Sequence, residues 1–493
     1  MKIRRFTILR WVSIGLIILS AILFVTQLVS YSRLRSGFPP GTLIAGVSVG
    51  GLNQQQAADR LEKTFTYPIE VFYGEDYFQI KPSALGFSLS IEAMIAAADQ
   101  QRTNAPFWSS FWDYLWNKIP QAYQTPLMAE VDERRIRMYL IDEVASRYDK
   151  VPKPSEPVPG SVTFQLGSPG EVLDLERSIE QITKALMSST NRNANLVINN
   201  VSPPKPAMEN LEILLKQIID RSRFDGLTEV YVLDLESRKE ISFAYENGQE
   251  YEPGIVFTAA STIKIPIMLS VFRQIGEPTP QAVANLMEQM IVQSENDPAD
   301  RLMQIYLDPN IGPNFITNDL QAIGLDNTFL AGHFYPGAVL LNRYRTPANM
   351  RTDYTTEPDP YNQTTTIDMG MLLDDIYQCA QTGGGTIMAV FEGELSQTEC
   401  QLMITYLSRN KIGGLLEAGL PDGTKIAHKH GWTSEYDTGI MRSLMDAGIV
   451  YSPKGNYVVC IAMYQPTQLI YPVANQLIAQ LSSAIYNYFN ISG

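Results

Sequence analysis

The sequence predicts an α+β protein in three parts: a membrane-spanning segment at 1–36, small α+β modules at 37–204 and a larger α+β domain at 207–493. Three observations predict it. An apolar run near the N-terminus is long enough to cross a bilayer. Two proline-rich joints, at 151–160 and 202–206, interrupt the chain as extended, semi-rigid linkers do. Strand-like runs open and close the back region, with helix-like runs between them. A chain of 493 residues, 45% hydrophobic, has material for about three globular units at roughly 150 residues each.

The first element is the apolar run from Trp11 to about Tyr31, preceded by Lys2, Arg4, Arg5 and Arg10. About 20 residues at 1.5 Å each match a hydrocarbon core of ~30 Å. The run ends Val25-Thr26-Gln27-Leu28-Val29-Ser30, without the small residues of a signal-peptide cleavage site. Four cations before the run, against Arg33 and Arg35 after it, orient the N-terminus inside. The expectation is a single-pass signal anchor in the cell membrane with the body extracytoplasmic. A buried core helix is disfavoured, because little so near the terminus covers all its faces.

The body is acidic. The whole chain carries −14, and its first 36 residues supply only cations. Phosphate binding needs basic surface, so a nucleic-acid partner is excluded. Cys379, Cys400 and Cys460 form no C-x-x-C, and His333, His428 and His430 do not on their own build a zinc site, so no metal and no cofactor is expected. One disulfide, Cys379–Cys400, or three buried thiols would both fit.

In the front region a helical stretch at 53–65 leads to a strand at 69–73, and Leu85-Gly86-Phe87-Ser88-Leu89 leads to a helix at 91–101. Later, residues 170–174 precede a helix at 175–187 and a strand at 194–198. This reads as a small α+β module used twice. Trp108, Trp112 and Trp116 recur every four residues beside Phe107 and Phe111, making one aromatic helix face. Packing between the modules is the expectation; a place at the membrane interface and stacking on sugars are the alternatives. The stretch from Pro39 through Leu52 and the Leu85-Gly86 element resemble a peptidoglycan-binding domain found beside wall-modifying enzymes. That resemblance implies a cell-wall glycan partner, with a rigid spacer as the alternative. Gly46-Val47-Ser48-Val49-Gly50 fits G-x-S-x-G, but its helix begins only after Leu52, so it reads as backbone geometry.

The back region opens with strands at 228–235 and 239–245. Next comes Phe257-Thr258-Ala259-Ala260-Ser261-Thr262-Ile263-Lys264, running into a buried helix in which Pro266 is tolerable only in the first turns. Ser261 and Lys264 are three apart and share a helix face. A serine hydroxyl needs a neighbour to take its proton, and a desolvated lysine has the lowered pKa to do so. Ser202-x-x-Lys205 shows the same spacing but lies in a linker. Ser294-Glu295-Asn296 follows a helix at 281–293, whereas Ser189-Thr190-Asn191 comes too early. Lys429-His430-Gly431 follows a strand-like run at 424–428, whereas Lys411-Ile412-Gly413 ends a helix as a C-cap.

In this order the three elements resemble the active-site serine, Ser-Asp-Asn and Lys-Thr-Gly elements of class A β-lactamases and penicillin-binding proteins, across about 225–490. The resemblance implies an antiparallel sheet flanked by helices with a helical subdomain, the β-lactamase/DD-peptidase-like fold. It assigns a helix start at 364–369, a penultimate helix at 395–420, a closing hairpin at 448–462 and a C-terminal helix from about Val473. It implies that Ser261 is acylated, with Lys264 as base and Ser294 as proton relay. Asn296 would orient the substrate, Lys429 would attract its carboxylate beside Gly431, and the backbone N–H groups of Ser261 and Trp432 would form the oxyanion hole.

Two departures stand out. His430 replaces the usual hydroxyl residue, for which Thr433 is the substitute. Leu341 through Asn349 resembles the deacylation loop, but Arg345 stands where a glutamate is expected, and a cation is no general base; Glu357 is the compensating candidate. The implied function is acyl-enzyme formation with β-lactams or related amides. A D-Ala-D-Ala peptidase or transpeptidase on wall peptide, and a non-catalytic wall-binding or sensing protein, are the rival readings.

Overall fold

The computed structural model describes residues 2–118, 122–434 and 438–491, with side chains from residue 9; those of Lys2, Arg4 and Arg5 lie outside the described residues. The chain divides into two compact units. One is Met1–Lys153 with Pro169–Ser202, the other Pro154–Ser168 with Pro203–Gly493.

In the first unit the helix Lys2–Arg35 carries the apolar run, and the capped helix Gln54–Thr66 follows, with Asn53 and Gln56 closing a capping box. Two cores form. Phe38, Ile44, Leu61, Phe65 and Met94 build one; Ile69, Val71, Ile136, Leu140, Ile179 and Ile182 build the other. The two expected repeats are not successive modules. The strand Asn193–Asn195, from the second, pairs in parallel with Ile69–Tyr73, from the first, so the halves complete one core. Residues 194–198 also break between two strands, Asn193–Asn195 and Ile198–Val201, which join different sheets.

The second unit is built on a six-stranded antiparallel sheet in the order Gln249–Tyr251, Glu240–Glu246, Leu227–Asp234, Tyr457–Tyr464, Met441–Tyr451, Lys425–Ser434. Its central strands are buried on both faces, which is why Val230-Tyr231-Val232-Leu233 in the strand Leu227–Asp234 is apolar without alternation. Alternation still sorts the side chains. Val230 and Val232 pack with the helices Met208–Ser222 and Tyr471–Phe489, while Tyr231 and Leu233 pack with the helical layer that contains Lys264–Ile275, Thr366–Thr382 and Gln397–Ser408. This is an α+β fold of the class expected.

Three further sequence expectations are corrected. The span 37–204 includes residues 154–168, which belong to the second unit. There Phe164 buries against Tyr488 (ring centroids 5.9 Å), and Asn487 donates to the Val162 carbonyl at 2.7 Å. The helix expected at 395–420 ends at Ser408, and a short turn, Glu417–Gly419, follows. Trp108, Trp112 and Trp116 do not pack between modules; all three are exposed. Cys379 and Cys400 form a disulfide joining two helices, and Cys460 is a buried thiol.

Candidate active site

The helix Lys264–Ile275 is apolar on nearly every face and runs through the middle of the helical layer. A single 3-10 turn, Ala260–Ile263, precedes it, so Ser261 sits at the mouth and Lys264 one turn inside. Ala260 holds a left-handed φ of 48°, a strained backbone for a residue with a Cβ. Asn362 clamps it: the Asn362 side-chain oxygen accepts from the Ala260 N–H at 2.7 Å, and its carbonyl from the Ala259 N–H at 3.3 Å. Nothing in the sequence singles out Asn362, which comes from a distant three-residue strand.

Lys264 is fully buried, and its Nζ meets three oxygens: Ser261 Oγ at 3.0 Å, the Ser294 carbonyl at 2.6 Å and Asn296 Oδ1 at 2.8 Å. Burial, and then the Lys429 charge, pushes the Lys264 pKa down to about 7, against the pull of Asp300 and Glu295. Asp300, one helical turn beyond Asn296, is itself buried and accepts from the Phe334 N–H at 2.8 Å. A second lysine closes the cluster. Lys429 Nζ donates to Ser294 Oγ at 2.8 Å, and burial lowers its pKa to about 8 while the Asp446 charge opposes the shift. Ser294 has a left-handed φ of 62°, presenting its carbonyl to one lysine and its hydroxyl to the other.

Lys429 lies on the edge strand Lys425–Ser434, which among the described residues has Met441–Tyr451 as its one strand neighbour. Gly431 is where this strand meets the turn that carries Ser261. A Cβ there would stand 2.7 Å from the Ser261 nitrogen, 2.8 Å from the Ala259 carbonyl and 2.9 Å from the Thr262 nitrogen. No other residue allows that approach.

Alternation sends Lys429, Gly431 and Thr433 to one face of the strand and His430 to the other. His430 is therefore absent from the hydrogen-bonded cluster. It stacks on Trp432 (centroids 4.9 Å) and approaches Asn410 Nδ2 at 3.3 Å, while burial and then Lys429 push its pKa down to about 3. Beneath the same strand, His428 and Asp446 pair at 3.0 Å, both fully buried; Asn410 Nδ2 donates to the His428 carbonyl at 3.0 Å, and the His428 Nε2 lies 2.8 Å from the Asn410 carbonyl. Despite its burial, the Asp446 charge and hydrogen bond hold the His428 pKa above its usual value. This back-face network was not legible in the sequence, where His428 and Asp446 are 18 residues apart.

The loop residues stand apart from the cluster. Arg345 is exposed and makes no hydrogen bond or ion pair among the described residues. Asn349 holds the loop together: it donates to the Tyr344 carbonyl at 3.1 Å and to Gln363 Oε1 at 3.0 Å and accepts from the Thr346 N–H at 2.9 Å. Glu357 is exposed and pairs with Arg442 at 3.2 Å. Thr433 is exposed on the edge strand.

Residues 280–489 match the sequence model of the Beta-lactamase enzyme family, a span that includes Ser294, Asn296 and Lys429 but not Ser261 or Lys264. No curated protein matches the chain. Among solved structures, it is similar to PBP-A (24% identity, 58% of this chain and 98% of that one, TM-score 0.40). It is also similar to a β-lactamase from Desulfarculus baarsii (18% identity, 58% and 100%, TM-score 0.43). A third is an ancestral class A β-lactamase (22% identity, 56% and 98%, TM-score 0.39).

Proposed function

We propose that this chain is a membrane-anchored, extracytoplasmic serine hydrolase that forms an acyl-enzyme on Ser261 with β-lactams or related amides bearing a carboxylate. The observation that carries this reading is the position of Lys264 Nζ, 3.0 Å from Ser261 Oγ and almost stripped of water. A lysine with a pKa of about 7 is substantially neutral at physiological pH and accepts the serine proton. Ser261 Oγ then bonds to the amide carbon, and the carbonyl oxygen gains a charge that the Ser261 and Trp432 N–H groups receive. The C–N bond breaks as Ser294 Oγ, held by Lys429, gives a proton to the leaving nitrogen. Ser294 Oγ in turn recovers a proton from the Lys264 ammonium, so the proton taken from Ser261 ends on the leaving nitrogen, Lys264 is again neutral and the Ser294 hydroxyl is restored. The Lys429 ammonium supplies the positive charge for the substrate carboxylate, with Asn296 and Thr433 at the rim of the same cleft.

Deacylation is slow on this reading. Arg345 offers no base, Asn349 is committed to the loop and Glu357 to Arg442. A long-lived acyl-enzyme fits a penicillin-binding peptidase or sensor better than a fast β-lactamase. The test is labelling of the purified protein with a fluorescent penicillin, with Ser261→Ala as control. Ser261-dependent label that persists for hours supports the proposal. Label lost within seconds replaces slow deacylation with true turnover, and no label at all sinks acyl transfer to β-lactams.

A further inference from the structure

The aromatic helix Phe107–Leu115 packs along the outer part of the N-terminal helix. Phe111 is buried, with its ring 5.6 Å from Phe24 and 5.4 Å from Tyr31. Phe107 lies 5.3 Å from Tyr31, and Tyr114 Oη is 3.1 Å from Gln27 Oε1. Arg35 donates to the Ala105 carbonyl at 2.8 Å, tying the helix entrance to the end of the span. The opposite side of this short helix has no protein cover among the described residues. Trp108, Trp112 and Trp116 are 59%, 57% and 75% exposed, and Leu115 is 37% exposed. Three exposed tryptophans in one row are a poor surface for water, yet the apolar helix beside them is equally uncovered from Leu9 to Val29.

The depth of the contact says what covers both. From Phe24 to Tyr31 the helix rises about 10 Å at 1.5 Å per residue. That is the last third of a ~30 Å apolar run. The aromatic helix therefore sits at the outer boundary of the hydrocarbon, where the amphipathic rings of tryptophan are most stable. Arg33 and Arg35 end the long helix just beyond, and Lys118 lies past the end of the short one, at the level of headgroup phosphates.

We propose that Phe107–Leu115, with Trp116, is an interfacial helix whose tryptophan face is immersed in the outer leaflet of the bilayer. It would act as a second membrane contact that fixes the first unit against the lipid surface. The inference rests on the reading of the N-terminal helix as a membrane span, and it is independent of the chemistry at Ser261.

Tryptophan quenching in the full-length chain, reconstituted into nanodiscs with acyl-chain-brominated lipid, tests it. A variant with Trp11→Phe and Trp432→Phe leaves the three tryptophans of the helix as the only emitters, with the helix itself unaltered. A second variant keeps only Trp11 and reports on the span. The expected result is strong quenching of both by brominated lipid, with the helix tryptophans quenched most by bromines nearest the headgroup and little by aqueous iodide. Quenching of Trp11 alone, with the helix tryptophans open to iodide, overturns the proposal while leaving the span intact. Protection from iodide that appears only when soluble wall glycan is added also overturns it, in favour of sugar stacking. If Trp11 too is untouched by brominated lipid, the span reading and the proposal fall together.

Discussion

Two lysines facing one serine hydroxyl and one serine turn define the chemistry at the residue scale. In the proposed mechanism Lys264 is neutral when it takes a proton and Lys429 is charged when it holds a carboxylate. Their pKa values of about 7 and about 8 leave a narrow window in which both conditions hold. The second-order rate of acylation is therefore expected to follow a bell, rising through about pH 7 and falling through about pH 8. A profile flat from pH 6 to 9 would contradict these roles. Lys264→Ala is expected to slow acylation by about 10²–10⁴-fold, the usual range for a lost general base, with the folded state retained as judged by circular dichroism. The Ser-x-x-Lys spacing was legible in the sequence because it is local. The clamp by Asn362 was not, because it depends on a strand one hundred residues away.

At the scale of the element, the edge strand Lys425–Ser434 does two jobs with its two faces. Its Gly431 touches the turn that carries Ser261, so Gly431→Ala must push the strand or the turn aside. Displacements of this size cost about 10²-fold in rate, and overpacking costs about 1–3 kcal/mol. Acylation kinetics and urea unfolding on the same variant measure both. The back face rests on the His428–Asp446 pair, and Asp446→Asn leaves a buried histidine without its counter-charge. A loss of about 3–5 kcal/mol is expected in urea unfolding. The pH dependence has a definite sign. His428 is raised in the fold, so the contribution of the pair is complete below the unfolded value of about 6.5 and fades as pH rises through the folded one. Asp446→Asn should flatten that slope. In the loop, Arg345→Glu restores a carboxylate at the expected position and is expected to shorten the life of the acyl-enzyme by about tenfold or more, read from decay of the fluorescent label. An unchanged lifetime would show that the loop backbone holds this position away from the acyl group.

At the scale of the whole molecule there are two units with separate cores, the first of which begins with the long apolar helix. The Cys379–Cys400 bridge closes a 21-residue separation inside the second unit, with both sulfurs buried. Such a loop contributes about 3 kcal/mol by restricting the unfolded chain, so unfolding in the presence of a reductant should show a loss of that order. Disulfides persist mostly in oxidising compartments, which agrees with the proposed anchor orientation.

By itself the sequence determined whatever depends on neighbours in the chain. The apolar run, the buried helix that begins at Lys264, the helix Gln54–Thr66 and the strands of the closing hairpin all follow from local periodicity and composition. The tertiary structure alone decided what depends on which surfaces meet. It turned His430 to the back of its strand, because alternation assigns faces and only sheet pairing says which face is the cleft. It moved residues 154–168 into the second unit, because Phe164 finds its apolar cover on Tyr488. It left the three tryptophans exposed, because the helix that bears them buries Phe111 against the N-terminal helix instead. Burial is a property of the partner as much as of the residue, and a sequence names only one of the two.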